Sequence, residues 1–219
     1  MVNSSVARGA ERGRELWMYV RRMEEEETYF MSFSISTGFY LAWGALGVVW
    51  LVSSFFVKAT ARSTSSLVRM LQSLMMLAGY LLISGWAHLG WLDTEIWPQT
   101  MLVAESALAI TCLGVFYAIW ARLTLGRNWS AKPTVKQEHE LIVRGPYALT
   151  RHPIYSGMLL ASVGTALAVD AWRVLPGIAL LLLAFAIKIR QEERLMCECF
   201  PDSYPGYRRR VKALLPWIV

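Results

Sequence analysis

The 219-residue sequence lacks the patterns by which many soluble enzymes bind metals, nucleotides or activated nucleophiles. It contains no HExxH, no paired-cysteine zinc spacing and no DxD, so we expect no metal centre. It has no GxSxG, and no βαβ pattern surrounds a GxGxxG, which argues against a hydrolase and a soluble dinucleotide fold. We interpret the three cysteines as small buried or interfacial side chains, because no pairing pattern connects Cys112, Cys197 and Cys199.

The sequence has few charged residues and contains several long apolar runs. Only 17% of the residues are charged, 55% are apolar and ten are tryptophan, which is far from the composition of a soluble protein. Apolar runs of about 20 residues are typical of membrane spans. The net charge of +6 therefore indicates basic loops beside anionic lipid headgroups, and we expect no nucleic-acid partner.

The apolar runs predict an all-α integral membrane protein with about five transmembrane helices. The polar segments 122–152 and 188–216 add the prediction of a cytoplasmic cofactor cap. Residues 1–30 form a charged leader that could include a surface helix, and residues 31–121 contain three spans. Residues 122–219 combine a cytoplasmic loop, two more spans and a C-terminal tail, and we predict that this region is catalytic. The predicted spans lie at about residues 33–57, 70–92, 99–121, 153–170 and 174–199.

Loop charge predicts how these spans are oriented. The 58–69 loop, the 122–152 loop and the C-terminal tail are basic, whereas the 93–97 loop contains no lysine or arginine. Because basic loops tend to stay in the cytoplasm, five spans place the N-terminus outside and the C-terminus inside. Both polar segments, 122–152 and 188–216, then lie on the cytoplasmic face.

One polar stretch, from His139 to Tyr155, interrupts the apolar runs. Gly145-Pro146 breaks any helix, since proline lacks the backbone donor and restricts the residue before it. Pro153 suits the first position of a helix, so we expect a helix to begin there. The free N–H groups and the dipole of that first turn would attract a carboxylate or a phosphate. Together with the acids of the second segment, this turn could hold a zwitterionic cofactor.

The two polar segments resemble the signature of a known family. GPYALTRHPIYSG at 145–157 and RQEERLMCECFPDSYPGYRRRVKALLP at 190–216 are similar to the isoprenylcysteine carboxyl methyltransferase family, over about residues 122–216. The resemblance implies a membrane enzyme that transfers a methyl group from S-adenosylmethionine to a lipophilic acceptor, such as the carboxylate of a prenylated cysteine.

Other functions remain open at this point. Related membrane methyltransferases act on phospholipid amines or small thiols and share parts of the signature. Nicotinamide-dependent sterol-type reductases share the RHP-x-Y region, although five spans argue against that class. A non-catalytic membrane protein that binds lipids or small molecules is the third alternative.

The resemblance also implies roles for individual residues. Lys188 matches the position of an arginine implicated in binding the substrate carboxylate, and lysine keeps the charge but loses the bidentate fork. We predict Lys188 and Arg151 as catalytic residues. The cofactor-binding residues that the resemblance implies are His139, Glu140, Leu141, Ile142, Tyr147, His152, Pro153, Ile154, Tyr155 and Glu192.

Several residues of the two segments also have a plainer interpretation. Tyr147 and Tyr155 could be interfacial aromatics, and His152 could be a cap residue only. Glu192 could lie on a solvated face, and the arginines at 208–210 could anchor in lipid headgroups. The functional interpretation depends on the co-occurrence of these residues at the spacing of the family.

Overall fold

A computed structural model of the chain describes residues 21, 23, 33–55, 66–85, 89–126 and 141–216. The chain divides into two compact units, residues 1–40 and 41–219. The first unit contains the helical residues Arg21 and Met23 and the first turns of a longer helix. Within the described residues, six α-helices have defined bounds: α1 Phe33–Ser54, α2 Ser66–Ser84, α3 Met101–Leu125, α4 Pro153–Val169, α5 Val174–Cys199 and α6 Tyr204–Arg210.

The helices confirm the prediction of an all-α, multi-pass membrane protein. By length and composition, α1, α2, α3 and α5 could each cross a membrane. The fourth predicted span corresponds to α4, which is apolar but has only 17 residues. By helix geometry α4 is about 25 Å long, somewhat less than the ~30 Å of a typical hydrocarbon core. The five predicted spans are therefore four helices of full length and one short helix.

Helix boundaries agree with prediction where a residue fixes the backbone. The fourth predicted span does begin at Pro153, and α5 has the predicted bounds, Val174–Cys199. The predicted end of the second span, near residue 92, is wrong, because α2 ends at Ser84. Gly85 follows with a φ of 80°, a left-handed conformation that ends the helix.

Small residues bring the helices of the second unit close together. A Cβ atom at Gly157 of α4 would lie 2.6 Å from the backbone nitrogen of Ala118 and 2.6 Å from the carbonyl oxygen of Gly114, both in α3. A Cβ atom at Gly177 of α5 would lie 3.0 Å from the carbonyl oxygen of Gly79 in α2. Close approach through small residues is a common way for membrane helices to pack.

At the C-terminal end of α4, two loops are tied together. Asp170 has a left-handed backbone, with a φ of 47°, and its Oδ1 accepts hydrogen bonds from the N–H groups of Ile96 and Trp97 at 2.9 and 3.0 Å. Arg173 Nε lies 3.2 Å from Asp93 Oδ1. The loop between α2 and α3 therefore lies at this end of α4.

At the N-terminal end of α4, the chain after α6 returns to the turn before α4. The N–H of Arg151 donates to the carbonyl of Lys212 at 2.7 Å, and that of His152 donates to the carbonyl of Ala213 at 3.0 Å. The two polar segments thus meet at one end of α4, and the loop without lysine or arginine lies at the other end.

Candidate functional site

The candidate site begins with the turn that leads into α4. Gly145 has a φ of 59°, which lets the chain enter a short 3-10 helix, Gly145–Ala148. Pro153 then occupies the first position of α4, where its missing N–H costs no helical hydrogen bond. His152 is the N-cap residue, but its side chain makes no capping hydrogen bond. The imidazole is instead directed towards α5.

Two adjacent glutamates near the end of α5 meet this turn. The hydroxyl of Tyr155 donates to Glu192 Oε1 at 2.5 Å. His152 Nδ1 lies 3.4 Å from Glu192 Oε2, and its Nε2 lies 3.4 Å from Glu193 Oε1. One imidazole therefore bridges both carboxylates, although the sequence separates His152 and Glu193 by 41 residues.

Glu193 connects three parts of the chain. Its side chain is only 9% exposed, and its Oε1 accepts hydrogen bonds from Arg151 Nε at 2.8 Å and Nη2 at 2.6 Å. Its Oε2 lies 3.2 Å from Arg208 Nε. The guanidinium of Arg151 also donates to the carbonyls of Arg208, at 3.1 Å, and Val211. These contacts join the start of α4, the end of α5, and α6 with the residue that follows it.

Aromatic rings extend the cluster into the apolar core. The Tyr155 ring stacks with His152, with centroids 5.7 Å apart, and with Phe185, with centroids 5.0 Å apart. Phe185 is fully buried. Lys188 Nζ lies 5.4 Å from the centroid of the Tyr155 ring, within the range of a cation–π contact. The site thus combines acids with an aromatic face that attracts a cation.

Burial and charge shift the pKa values of groups at this site. Burial disfavours protonation of His152, but its hydrogen bonds to Glu192 and Glu193 outweigh burial and raise the pKa of the imidazole above its usual value. Burial raises the pKa of Tyr207 to about 12. Burial, reinforced by the charge of Glu192, also raises the pKa of Tyr147 far above its usual value. Both phenols therefore stay protonated at neutral pH, and the imidazole is stabilised as a cation.

The structure brings five of the predicted site residues into one cluster of contacts: Arg151, His152, Tyr155, Lys188 and Glu192. Leu141 is half-buried, and the hydroxyl of Tyr207 donates to the carbonyl of Tyr147 at 2.6 Å. The predicted residues His139 and Glu140 lie outside the described residues. The roles of all these residues remain predictions. The buried members of the predicted set are Ile142, Tyr147, His152, Pro153, Ile154 and Tyr155.

The plainer interpretations of Tyr147, Tyr155 and Glu192 fit this geometry less well. Tyr147 and Tyr155 are only 8% and 9% exposed, which is low for aromatics in an interfacial belt. The side chain of Glu192 is only 21% exposed. It accepts a hydrogen bond from Tyr155 and lies beside His152, so it is not on a solvated face. The predicted catalytic residue Arg151 contacts Glu193 and two main-chain carbonyls.

The family resemblance implies a site role for Glu192 but none for Glu193 or Arg208. The signal was present in the doubled acid at the end of α5 and in the arginines that follow. A buried acid needs a cationic partner, and the nearby arginines could supply one. Which arginine pairs with which acid depends on the path of the tail, and the spacing of residues does not reveal that path.

Known proteins resemble the chain, and the family model matches it over this region. The family model described as the isoprenylcysteine carboxyl methyltransferase (ICMT) family matches residues 107–198, which include the turn before α4 and both glutamates. A probable protein-S-isoprenylcysteine O-methyltransferase of Oryza sativa subsp. indica is 30% identical over 155 residues, which cover 67% of this chain and 80% of the rice protein. The cobalt-zinc-cadmium resistance protein CzcN of Cupriavidus metallidurans is 34% identical over 125 residues, 55% of this chain and 53% of that protein.

A solved structure is also similar, that of a eukaryotic intramembrane Ras methyltransferase, isoprenylcysteine carboxyl methyltransferase. It is 21% identical with a TM-score of 0.48, and the match covers 71% of this chain and 54% of that one. For the first three curated relatives, the chain spans 62%, 53% and 49% of the relative's length, which is about half.

In the part of the chain that the structure describes, no group of three or more His, Cys, Asp or Glu side chains could hold a metal ion.

Proposed function

The chain belongs to the isoprenylcysteine carboxyl methyltransferase family, and on that premise we propose that it is a membrane methyltransferase. Its methyl donor is S-adenosylmethionine, and its acceptor is a lipophilic molecule with the carboxylate of a prenylated cysteine as the first candidate. The observation that carries the proposal is the hydrogen bond of 2.5 Å between Tyr155 and Glu192, which joins the two family segments in one cluster.

The side chains of this cluster suit such a donor. When bound, the donor supplies an activated methyl group on a sulfonium, and it also carries an ammonium and a carboxylate. Glu192 suits the ammonium, and the aromatic face of Tyr155, which already attracts the Lys188 ammonium, suits the sulfonium. The first turn of α4, which the His152 side chain does not cap, suits the carboxylate.

The chemistry requires positioning more than proton transfer. A carboxylate or thiolate acceptor has no proton to lose at the reacting atom, so no general base is needed. The protein contributes by orienting both molecules and excluding water. Ile142, Tyr147 and Ile154 belong to the same apolar cluster as Tyr155, and this cluster excludes water from one side of the site. Lys188 orients an acidic acceptor, whereas Arg151, which is engaged by Glu193, acts as a positioning residue.

The test of the function is direct. Purified protein in lipid nanodiscs should bind S-adenosylhomocysteine and should transfer a radiolabelled methyl group from S-adenosylmethionine to one of three acceptor classes: prenylcysteines, phospholipids or small thiols. Transfer only to phospholipids or thiols would support a methyltransferase but would reject a prenylcysteine as the acceptor. Binding of NADPH without binding of S-adenosylhomocysteine would reject a methyltransferase.

Two variants test the assigned donor site. Glu192→Gln and His152→Ala should each weaken S-adenosylhomocysteine binding by roughly tenfold or more, the cost of a lost charge-assisted hydrogen bond. Glu198→Gln is the matched control, because Glu198 lies on the same helix and is exposed. Normal affinity in both site variants would show that the donor binds elsewhere.

Lys188 tests the acceptor. Lys188→Ala should raise the KM for an acidic acceptor, and Lys188→Arg should retain a low KM because it keeps the positive charge. If the KM for the active acceptor is the same in Lys188→Ala as in the wild type, Lys188 does not bind an acceptor carboxylate, which would favour a thiol, an amine or another acceptor without a carboxylate.

A further inference from the structure

The segment after α5 forms a surface that the proposed methyl transfer does not use. We name residues 204–215 the tail segment. A parallel bridge pairs Lys212 with Thr150, and the hydroxyl of Ser156 in α4 donates to the carbonyl of Leu214 at 2.6 Å. Together with the hydrogen bonds from the N–H groups of Arg151 and His152, these contacts hold the tail segment against the start of α4.

The length of α4 places this contact at the edge of the bilayer. No residue from Pro153 to Val169 carries a charge, and the helix is about 25 Å long against ~30 Å of hydrocarbon. In a crossing helix of this length, both ends lie at the boundary between hydrocarbon and headgroups. Because the tail segment is hydrogen-bonded to the first of these ends, it lies at headgroup level.

The side chains of the tail segment match that position. Tyr204 and Tyr207 are 2% and 4% exposed and pack inward, whereas Arg209, Arg210 and Lys212 are exposed. The exposed side chain of Leu215 follows these cations, so apolar and basic groups adjoin along one short segment. This combination is typical of segments that lie in a membrane interface.

Nearby charges leave the segment basic. The charge of Arg208 is paired with Glu193. Asp202, just before α6, is an exposed acid. Three exposed cations, Arg209, Arg210 and Lys212, therefore stand against one exposed acid in this short stretch. Such a surface complements anionic headgroups.

We propose that the tail segment binds anionic lipid headgroups through Arg209, Arg210 and Lys212, and that this binding holds the segment against the turn that carries His152. The occupant is the bilayer itself, in the leaflet on the side of the candidate site. The surface does not depend on the proposed reaction, because it is defined by the contacts of the tail and can be tested without substrate.

Hydrogen exchange of the full chain in nanodiscs tests the proposal. The amides of Arg151 and His152 donate to the tail, so their exchange reports its docking. In nanodiscs that mix phosphatidylglycerol with phosphatidylcholine, these amides should exchange several-fold more slowly than in phosphatidylcholine alone. High salt should reduce the difference, because it screens exposed charges. Equal exchange in the two lipids would overturn the proposal.

A matched pair of variants identifies the surface. Each basic residue near an anionic membrane contributes about fivefold in binding, so the double variant Arg209→Gln, Arg210→Gln should lose up to about 25-fold of the lipid effect. The control Arg190→Gln, Arg194→Gln removes the same charge from exposed positions of α5. An equal loss in the control would overturn the assignment of the surface.

Two further outcomes would also count against a lipid surface. Soluble inorganic phosphate that slows exchange in phosphatidylcholine nanodiscs as much as phosphatidylglycerol does would indicate a site for a free anion. Faster exchange of the double variant in phosphatidylcholine alone would indicate that the arginines only stabilise the fold of the tail. Each result can be read whether or not the protein transfers methyl groups.

Discussion

At the scale of single residues, the site depends on one imidazole between two carboxylates. His152 is only 8% exposed, and its two ring nitrogens each lie 3.4 Å from a glutamate oxygen. A cation in this position would be costly if it were alone, because burial removes its hydration. The paired acids offset that cost and favour the protonated ring, so His152 contributes to the stability of the fold as well as to the proposed donor site.

This arrangement predicts a dependence of stability on pH. The pKa of His152 is raised from 6.5 in the folded protein, so protonation contributes stability that is fully present below about pH 6.5. The contribution is lost as pH rises through the higher folded-state pKa. We expect the Tm in detergent to fall over that window and His152→Gln to flatten the profile. Profiles of equal slope in the two proteins would contradict the prediction.

We expect substitution of Glu193 to destabilise the protein more than substitution of Glu198, an exposed acid on the same helix. Glu193→Gln leaves Arg151 and His152 without their shared carboxylate, and breaking a buried ion pair costs about 3 kcal/mol. We expect a clear fall in Tm, measured by thermal unfolding, whereas the exposed control Glu198→Gln should change it little. If the variant Arg151→Gln, Glu193→Gln shows the sum of the two single effects, the pair is not coupled.

At the scale of helices, the close packing of α4 against α3 requires that residue 157 have no side chain. A methyl group there would lie 2.6 Å from two backbone atoms of α3, and backbone cannot move aside as a flexible side chain can. We expect Gly157→Ala to destabilise the protein by about 2 kcal/mol, as overpacking does. The matched control is Gly44→Ala in α1, where a Cβ would meet nothing within 4 Å. Equal unfolding temperatures for the two variants would contradict this account.

Helix positions could be predicted where local chemistry decides them. Pro153 fixes the start of α4, and the apolar run of α5 ends in charged residues before Pro201, so both were found from sequence. The end of α2 was placed too late because hydropathy reports the affinity of a segment for lipid, and lipid affinity does not stop at the last helical residue. A left-handed Gly85 ends the helix while the apolar run continues.

The site could be predicted only in part, for a related reason. The segments were identified because each carries a local pattern of residues. The partners of Glu193 come from different parts of the chain, and Arg151 alone is separated from it by 42 residues. The single bridge between Thr150 and Lys212 has no periodic signal of the kind that a strand would give. Contacts of this kind depend on the path of the tail, which helix propensity and hydropathy do not determine.

At the scale of the whole molecule, the second unit has two chemically different ends. One end of α4 meets the 93–97 loop, which has no lysine or arginine, through Asp170. The other end meets the tail segment with its exposed arginines. Since basic loops tend to remain in the cytoplasm, this asymmetry agrees with the prediction from loop charge that the site faces the cytoplasm and the 93–97 loop faces outside.

Cysteine labelling in intact cells tests that orientation. In a background with Cys112, Cys197 and Cys199 replaced, Glu95→Cys should react with a membrane-impermeant maleimide, because residue 95 is exposed on the loop predicted to lie outside. Asp202→Cys, exposed beside α6, should react only after permeabilisation. The opposite pattern would place the basic tail outside, against the charge rule. Labelling of both in intact cells would show that α4 does not separate the two sides of the membrane.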